Sequence, residues 1–267
     1  LQGNLRGVAK LLRKQMRHMP GEMKIVFELA RVLGDLGSTK EAVGLLEQTA
    51  NRFQHDPAVQ GEVVDLLIHL KAPRKKILKR FSRLRKLEPR EPEHVETLGA
   101  YLYGQHRLED ARKVWNELIT IYTNPARGHL RLARILRDHH FLEYAEEHYQ
   151  KALKLTPRDP ETIAAVAQWS EDSHNIPHAI VLWERCIEYD PSLSLDSTRT
   201  AIDHLLELLS ADGTLGEKNN EILLASQRGE IGRAYSVFLV KGLARAGNVD
   251  KAMLEGHRLR KTLGDGE

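Results

Sequence analysis

A histidine-rich segment is the first place where this sequence could carry out chemistry. It holds His139, His140, Glu143, Glu147 and His148, and imidazole nitrogens and carboxylate oxygens are common ligands of zinc. Their spacing differs from the H-E-x-x-H pattern, which places two histidines on one face of a helix. The sequence therefore predicts solvated residues around a turn here, and no metal site.

Two further segments have reactive side chains without the context that chemistry requires. Gly34, Gly37 and Lys40 superficially resemble a phosphate-binding loop, but Glu41 follows the lysine where that motif has Ser or Thr. The only cysteine, Cys186, occupies a position where a small buried residue is expected, and no histidine can be ordered against it as a base. We therefore predict a protein that is not an enzyme and that needs no cofactor.

Four arginines form the most distinctive charged pattern. Arg127, Arg131, Arg134 and Arg137 have the spacing i, i+4, i+7 and i+10, which places them along one side of a single helix. Guanidinium groups bind carboxylates and phosphates through forked hydrogen bonds, so this arginine stripe is a candidate binding site. The alternative is an internal charge ladder with neighbouring acidic residues, namely Glu93, Glu96, Glu161, Glu171 and Asp172. The sequence leaves both open.

A second basic cluster lies in one predicted helix and is extended by an earlier one. Its members are Lys71, Arg74, Lys75, Lys76, Lys79, Arg80, Arg83, Arg85 and Lys86, with Lys10, Arg13, Lys14 and Arg17 before them. Such a patch is typical of a surface that binds an acidic protein, an anionic membrane or RNA, and it is also compatible with a plain solvated face. The patch has no interleaved aromatic residue for base stacking, which makes nucleic acid the weakest of these partners.

The composition agrees with a thin helical protein. Of the 267 residues, 41% are hydrophobic, 6% are aromatic and 29% are charged, which suits an all-helical stack better than a thick α/β enzyme. The 40 Lys and Arg nearly balance the 37 Asp and Glu, so the whole chain is not marked as a nucleic-acid binder. The sequence has no apolar run of about 18 residues that predicts a membrane span. Together with the single cysteine, this favours the cytoplasm.

Prolines reveal an internal period. Pro89, Pro157 and Pro191 are separated by 68 and 34 residues, which is two periods and one. This period divides the chain without gaps into five repeats, 23–57, 58–91, 92–125, 126–159 and 160–193, the first of which has one extra residue.

The repeat 126–159 shows the pattern most fully. Its first half has apolar and small residues at helical spacing, its second half repeats this arrangement, and Pro157 closes it; these residues are Leu132, Ala133, Leu136, Ala145, Tyr149 and Ala152. The pattern resembles the tetratricopeptide repeat. That resemblance implies an all-α fold, a right-handed α-solenoid of stacked antiparallel helix pairs.

The resemblance assigns roles to recurring positions. Small residues fill the crossing point of each helix pair, in the first helix Ala30, Gly99, Ala133 and Ala167, and in the second helix Ala42, Ala111, Ala145 and Ala179. A large residue of the second helix fills the groove between repeats, at Leu46, Phe81, Trp115, Tyr149 and Trp183. Repeat 58–91 departs from the pattern, with Asp65 and Ile77 in the small positions and Pro73 in the turn, so a locally widened or tilted hairpin is expected there.

Both ends and one internal segment are irregular. Residues 1–22 match only the second helix of a repeat, which predicts that the chain is cut from a longer repeat protein whose own N-terminus, with any targeting signal, is missing. Residues 194–232 are predicted as an irregular helical hairpin with a loop at 210–216, and residues 233–267 as a C-terminal repeat.

The resemblance also implies a function. First helices line a concave groove that binds a peptide or a protein partner, so the expected role is a scaffold or adaptor. The predicted groove residues are Arg127, Arg131, Arg134, Arg137, Tyr103, Leu130 and Phe27. Two alternatives stay open. One is an RNA-processing scaffold built from half-tetratricopeptide repeats, suggested by Trp115 and Trp183; the other is a regulatory or assembly module of a larger enzyme or secretion machine.

Overall fold

The computed structural model describes residues 2–263, and every regular element in that range is an α-helix. Helices that follow each other in the sequence pack as antiparallel pairs, so the predicted all-α fold of stacked helix hairpins is confirmed. The chain forms two compact units, one ending at Ile121 and the other beginning at Tyr122. Residue 1 and residues 264–267, which belong to the predicted segments 1–22 and 233–267, lie outside the described residues.

The first unit consists of a lone helix followed by three hairpins. Its helices are α1 (Gln2–His18), α2 (Met23–Asp35), α3 (Thr39–Arg52), α4 (Pro57–His69), α5 (Arg74–Leu87), α6 (Pro92–Gly104), α7 (Leu108–Trp115) and α8 (Leu118–Ile121). Helix α1 packs on α2, and the hairpins are α2 with α3, α4 with α5, and α6 with α7. We call α2, α4 and α6 the first helices of their hairpins.

The second unit continues the same construction. Its helices are α9 (Pro125–Asp138), α10 (Leu142–Leu155), α11 (Pro160–Asp172), α12 (Ile176–Tyr189), α13 (Asp196–Asp212), α14 (Leu215–Gln227), α15 (Arg233–Arg245) and α16 (Val249–Leu263). Its first helices are α9, α11, α13 and α15, and neighbouring first helices pack directly on one another.

Four first helices begin at the same two-residue signal, a polar residue followed by proline. Asp56, Glu91, Asn124 and Asp159 are the N-caps of α4, α6, α9 and α11, and a proline follows each. The Asp56 and Asp159 carboxylates accept hydrogen bonds of 3.1 Å from the backbone N–H groups of Val59 and Thr162. Proline loses nothing at this position because the first N–H of a helix has no intrahelical partner.

The hairpin turns also share one geometry. In six hairpins the second residue of the turn has a positive φ, and these residues are Gly37, Lys71, His106, His140, His174 and Gly247. The next backbone N–H then donates to the carbonyl five residues earlier, as from Phe141 to Leu136 at 2.8 Å. This is the Schellman arrangement, which ends a helix by giving its last carbonyls a partner. The turn after α4 has four residues instead of three, so the extra residue of the repeat period lies here and not in 23–57.

Small residues are buried where the two helices of a hairpin cross. Ala30, Ala42, Ala133 and Ala145 have no accessible surface. At Gly99 even a methyl group is too large, because a Cβ atom there would lie 2.0 Å from Nε1 of Trp115. In α4 the buried residue is Val64 and not Asp65, which is exposed, so the predicted position of Asp65 was wrong by one residue.

Large residues form a buried column beside these crossings. Leu46, Phe81, Trp115, Tyr149 and Trp183 are each at most 1% exposed, which confirms their predicted role in the core. Three of them stack on an aromatic ring of the next first helix. Phe81 faces Tyr101 at 6.3 Å, Tyr149 faces Trp169 at 5.3 Å, and Trp183 faces His204 at 4.9 Å between ring centroids. Such contacts join one hairpin to the next.

The irregular hairpin is held by a buried carboxylate. Asp190 accepts hydrogen bonds from the hydroxyls of Ser192, Ser194 and Thr198 and from the backbone N–H of Leu195, all at 2.8–2.9 Å. Burial alone would raise the pKa of this carboxyl, but these donors hold it well below its usual value. The loop predicted at 210–216 is shorter than expected, because Gly213 at φ 80° ends α13 and α14 begins at Leu215.

We expect His140→Gly to raise the free energy of unfolding by about 0.5–1 kcal/mol. A left-handed conformation costs a non-glycine residue about 1 kcal/mol or more, and only part of this is offset by the larger entropy that glycine loses on folding. Urea unfolding followed by circular dichroism measures the difference. Gly37→Ala is the reciprocal control, because its added Cβ meets nothing within 4 Å, and it should lower stability by about 1 kcal/mol. A less stable His140→Gly variant would show that this turn is not strained.

Candidate protein-binding surface

The arginine stripe lies on α9 as the sequence predicted, but several of its arginines already form ion pairs with other residues of this chain. Arg127 forms an ion pair with Glu161 at 3.4 Å, and Arg137 forms one with Asp172 at 3.3 Å, both acids being on α11. Arg131 also interacts with another residue. Arg134 is exposed and makes no hydrogen bond or ion pair to any residue between 2 and 263.

Ion pairs between neighbouring first helices recur in both units. Arg31 of α2 pairs with Glu62 of α4, and Lys241 of α15 pairs with Asp203 of α13 at 2.7 Å. Of the acids that the sequence offered as neighbours of the arginine stripe, Glu161 and Asp172 pair with it, whereas Glu171 pairs with His204 at 3.0 Å. Exposed pairs of this kind stabilise a protein by only about 0–1 kcal/mol, so a competing carboxylate can displace them at low cost.

The apolar residues predicted for the binding groove are less accessible than expected. Leu130 is only 8% exposed, so its prediction as a surface anchor was wrong; it lies on the core side of α9 with Leu132 and Ala133. Tyr103 is half-buried, with its ring 6.2 Å from that of Trp115. Phe27 is also half-buried, and nothing in the structure distinguishes it as a contact residue.

The basic cluster of α5 separates into buried and exposed cations. Arg80 is 4% exposed and donates to both carboxylate oxygens of Glu47, at 3.1 and 2.8 Å, and to Asn51 at 2.9 Å. Its prediction as part of a surface patch was therefore wrong. The hydrogen bond from Arg80 outweighs the effect of burial and lowers the pKa of Glu47. Arg83 donates to the backbone and side chain of Gln54, both at 3.1 Å.

What remains exposed is a smaller basic face. Arg74, Lys75 and Lys79 are exposed and Lys76 is half-exposed, and none of the four has a hydrogen bond or ion pair within the described part of the chain. On α1, Lys10, Lys14 and Arg17 are exposed as well, whereas Arg13 pairs with Glu41 at 2.6 Å. Among the helices of residues 2–263, none is long and apolar enough to cross a membrane.

The space between α4 and α6 is a feature that the sequence reasoning missed. Elsewhere within each unit neighbouring first helices pack directly, but α4 and α6 are joined mainly through α5. The gap holds two clefts that meet at Thr97. We call the one at the turn after α4, of about 580 Å³, the turn cleft. The other, of about 400 Å³, is the acidic cleft.

The two clefts have opposite character. The turn cleft is lined by Ile68, Ala72, Ile77, Ala100 and Tyr101, with Lys71 and Arg74 as its charged residues. The acidic cleft is lined by five carboxylates, those of Asp56, Glu62, Asp65, Glu88 and Glu93. Burial, and then repulsion from Glu62 and Glu93, raise the pKa of Asp65.

In the histidine-rich segment His140, Glu143 and Glu147 are exposed, but His148 packs against His129 of α9. His148 is 8% exposed, so its prediction as a solvated turn residue was wrong. Its ring stacks on that of His129 with centroids 5.0 Å apart, and their Nδ1 atoms lie 2.8 Å from each other. Burial, followed by repulsion from His129 and Lys151, lowers the pKa of His148 to about 4. In the described chain no three His, Cys, Asp or Glu residues are arranged to hold a metal ion.

The other chemically suggestive segments are structural. Gly34 to Lys40 forms the end of α2, the turn and the start of α3, as the sequence predicted. Cys186 is fully buried and its Sγ contacts the carbonyl oxygen of Pro160 at 3.4 Å. Burial raises the pKa of its thiol to about 12, so the reactive thiolate is scarcely populated at neutral pH.

Comparison with known proteins finds solved structures whose folds are similar to that of this chain. No protein-family model matches the sequence, and no curated protein matches it significantly. Among solved structures, yeast Tom70 is similar at 14% identity and a TM-score of 0.43, over 97% of this chain and 55% of that one. The type IV pilus biogenesis factor PilW is similar at 14% identity and a TM-score of 0.40, over 81% and 97%. PilF of Pseudomonas aeruginosa is similar at 15% identity and 0.38, over 82% and 96%.

These likenesses carry no argument about partners, and the chain spans only about half of Tom70. The fold itself rests on the hairpins described above. Most of the seven hairpins within residues 2–263 have small residues at the crossing and a large buried residue beside it, and five of them have a three-residue turn with a left-handed residue. The structure is thus a tetratricopeptide-like stack of helix pairs.

We expect the histidine pair to make the protein less stable in acid. Because folding lowers the pKa of His148 from about 6.5 to about 4, its contribution is fully present above pH 6.5 and is lost as pH falls towards 4. Chemical unfolding at pH 7 and pH 4.5 should show that His148→Leu removes about 2 kcal/mol of the acid-induced loss. His257→Leu, at an exposed histidine of α16, is the control and should leave the loss unchanged. Equal losses in wild type and His148→Leu would contradict this assignment.

Proposed function

We propose that this chain is a non-catalytic scaffold whose α9 surface binds an acidic segment of a partner protein. The observation that carries the proposal is Arg134, an exposed cation without a partner among the described residues, in the middle of the arginine stripe. An unpaired guanidinium presents its full fork of donors to an incoming carboxylate.

The arginines around it support the same function. The ion pairs of Arg127 and Arg137 with α11 are long and solvent-exposed, with 66% of the Arg127 side chain accessible. A partner carboxylate that replaces Glu161 or Asp172 therefore recovers nearly all the energy of the pair that it breaks. The charge ladder and the binding site are compatible, since the ladder holds the arginines extended until a partner arrives.

Two other features agree with a scaffold. The one thiol is buried, and His148 of the histidine pair is buried as well, so neither group is placed to act on a substrate. Trp115 and Trp183 are at most 1% exposed and cannot stack on bases, so no observation favours the RNA-processing alternative. A place in a larger assembly in the cytoplasm remains part of the proposal.

Charge exchange on α9 and α11 tests the proposal. The wild-type chain, Arg134→Glu and the control Arg158→Glu, a reversal at another exposed arginine, are each used to capture proteins from the source lysate. We expect to capture a partner protein that has an acidic segment. The wild-type chain and Arg158→Glu should bind this partner, and Arg134→Glu should not. With that segment as a labelled peptide, Glu161→Gln combined with Asp172→Asn should tighten binding several-fold, because Arg127 then loses its partner on α11 and Arg137 keeps only its pair with Asp138.

Two outcomes would contradict this function. If no captured protein distinguishes Arg134→Glu from Arg158→Glu, then α9 is not the partner surface. If the Glu161→Gln and Asp172→Asn variant binds the peptide no better than wild type, the stripe arginines other than Arg134 do not take part.

The exposed cations of α5 favour a second candidate, attachment to an anionic surface. Arg74, Lys75, Lys76 and Lys79 have no hydrogen bond or ion pair within the described residues, and neighbouring cations bind anionic lipid with about 1 kcal/mol each. The same cations would also attract an acidic protein. Binding to lipid vesicles that contain no protein distinguishes a membrane from an acidic protein as the partner.

Sedimentation with phosphatidylcholine vesicles, with and without phosphatidylserine, measures this second candidate. Binding should require phosphatidylserine, weaken with salt, and fall by about tenfold or more in Lys75→Glu with Lys79→Glu. Lys154→Glu with Arg158→Glu changes the net charge equally and is the matched control. Binding that is lost equally in both double variants would reflect net charge alone, and no binding to any vesicle would remove the membrane from consideration.

A further inference from the structure

The turn cleft exists because one hairpin lacks the long side chains that its neighbours have. The residue after the small crossing position is arginine or glutamine in three first helices, at Arg31, Arg134 and Gln168, but it is Ala100 in α6. Four residues later the other helices have Asp35, Asp138 and Asp172, whereas α6 has Gly104. A Cβ atom added to Gly104 would meet nothing within 4 Å, so the space is open.

Two residues beside the turn cleft give it a positive charge that the equivalent places of the other hairpins do not have. Lys71 occupies the left-handed turn position that is glycine or histidine in the other hairpins. Arg74 begins α5 where Thr39, Leu108, Leu142 and Ile176 begin the other second helices. Both cations are exposed, neither has a hydrogen bond or ion pair within residues 2–263, and no carboxylate lines the turn cleft. Compared with the equivalent places of the other hairpins, the turn cleft thus has fewer carboxylates and two more cations around its apolar lining.

We propose that the turn cleft is a second docking site, one that takes an apolar side chain of a partner protein together with an adjacent carboxylate. The apolar side chain packs on Ile68, Ile77 and Tyr101, and the carboxylate accepts hydrogen bonds from Lys71 and Arg74. This site is in the first unit, on other residues than the α9 surface, and so goes beyond the scaffold function proposed above.

The size and the electrostatic surroundings of the cleft fit such a segment. A volume of about 580 Å³ lies within the range of about 300–1,000 Å³ of sites that bury a drug-sized ligand, which is the size of a few residues of peptide. Beyond Thr97 the gap continues into the acidic cleft, where Glu62, Asp65 and Glu93 repel a carboxylate. The charge gradient along the gap therefore orients the segment with its carboxylate at Lys71 and Arg74.

The test uses a labelled hexapeptide with one leucine followed by aspartate, and fluorescence anisotropy as the readout. Ala100→Arg and Gly104→Asp fill the cleft with the residues that other hairpins of this chain have at these positions, so the fold tolerates them. We expect each to weaken binding at least fivefold and the pair at least twentyfold. Peptides with alanine for leucine, or asparagine for aspartate, should bind at least fivefold more weakly than the parent.

Charge variants separate specific recognition from general attraction. Lys71→Gly relieves the positive φ while it removes the charge, and Arg74→Thr restores the residue type of α3; each should weaken binding at least threefold. Lys79→Thr removes a cation from the same helix outside the cleft and should change binding by less than twofold. The peptide as a C-terminal amide, and a version that ends in leucine with a free carboxyl group, show whether a side-chain or a terminal carboxylate binds better.

The results also distinguish this site from the α9 surface. Loss of hexapeptide binding in Ala100→Arg with Gly104→Asp reports on the turn cleft, and loss of partner capture in Arg134→Glu reports on the α9 surface, so each proposal can fail without the other. If the hexapeptides do not bind at millimolar concentration, or if Ala100→Arg with Gly104→Asp binds as wild type does, the turn cleft is not a docking site. If Lys79→Thr weakens binding as much as Lys71→Gly does, the peptide is attracted nonspecifically to the charge of α5 and is not recognised in the cleft.

Discussion

The close crossing of paired helices is the constraint on which the rest of the structure depends. In the regular hairpins the two helices approach until a methyl group, or at Gly99 a hydrogen atom, is all that fits between them, whereas α4 and α5 have the larger Val64 and Ile77 there. That approach creates the groove in which Leu46, Phe81, Trp115, Tyr149 and Trp183 are buried. Phe81, Tyr149 and Trp183 each lie against an aromatic ring of the next hairpin, whereas Trp115 lies against Gly99 and Tyr103 of its own hairpin.

The crossing also decides which residues are left for function. Because one stripe of each helix packs inward, the charges are confined to the remaining faces, where they meet the charges of adjacent helices. Arg127 meets Glu161 and Arg137 meets Asp172 for this reason. The residues of interest for binding are therefore those that break the pattern: Arg134 lacks a partner, and α6 has no side chains at Ala100 and Gly104 that could fill the gap to α4.

An irregular hairpin can be compared position by position with the regular hairpins of the same chain, and the differences show where its surface is unusual. The four-residue turn after α4, the cations at Lys71 and Arg74, and the small residues of α6 all lie around one gap, although they come from two hairpins. The extra residue in this turn leaves Phe81 and Ile77 of α5 fully buried.

The sequence by itself determined the helices, the repeat period and the core positions. These depend on spacing of three or four residues along one helix and on the recurrence of small and large side chains, which are local quantities. The paired polar and proline residues at the starts of α4, α6, α9 and α11 are a further local signal of helix starts that is present in the sequence. Gly213 similarly marked the end of α13.

Only the tertiary structure decided which charged and apolar side chains are available. Arg80 is buried against Glu47, 33 residues earlier, and His148 is buried against His129 on the preceding helix. Leu130 turned inward, and the gap between α4 and α6 followed from how two helices are spaced by a third. A helical pattern fixes the direction in which a residue points, but its partner depends on the distance and tilt of the neighbouring helix, which no single helix encodes.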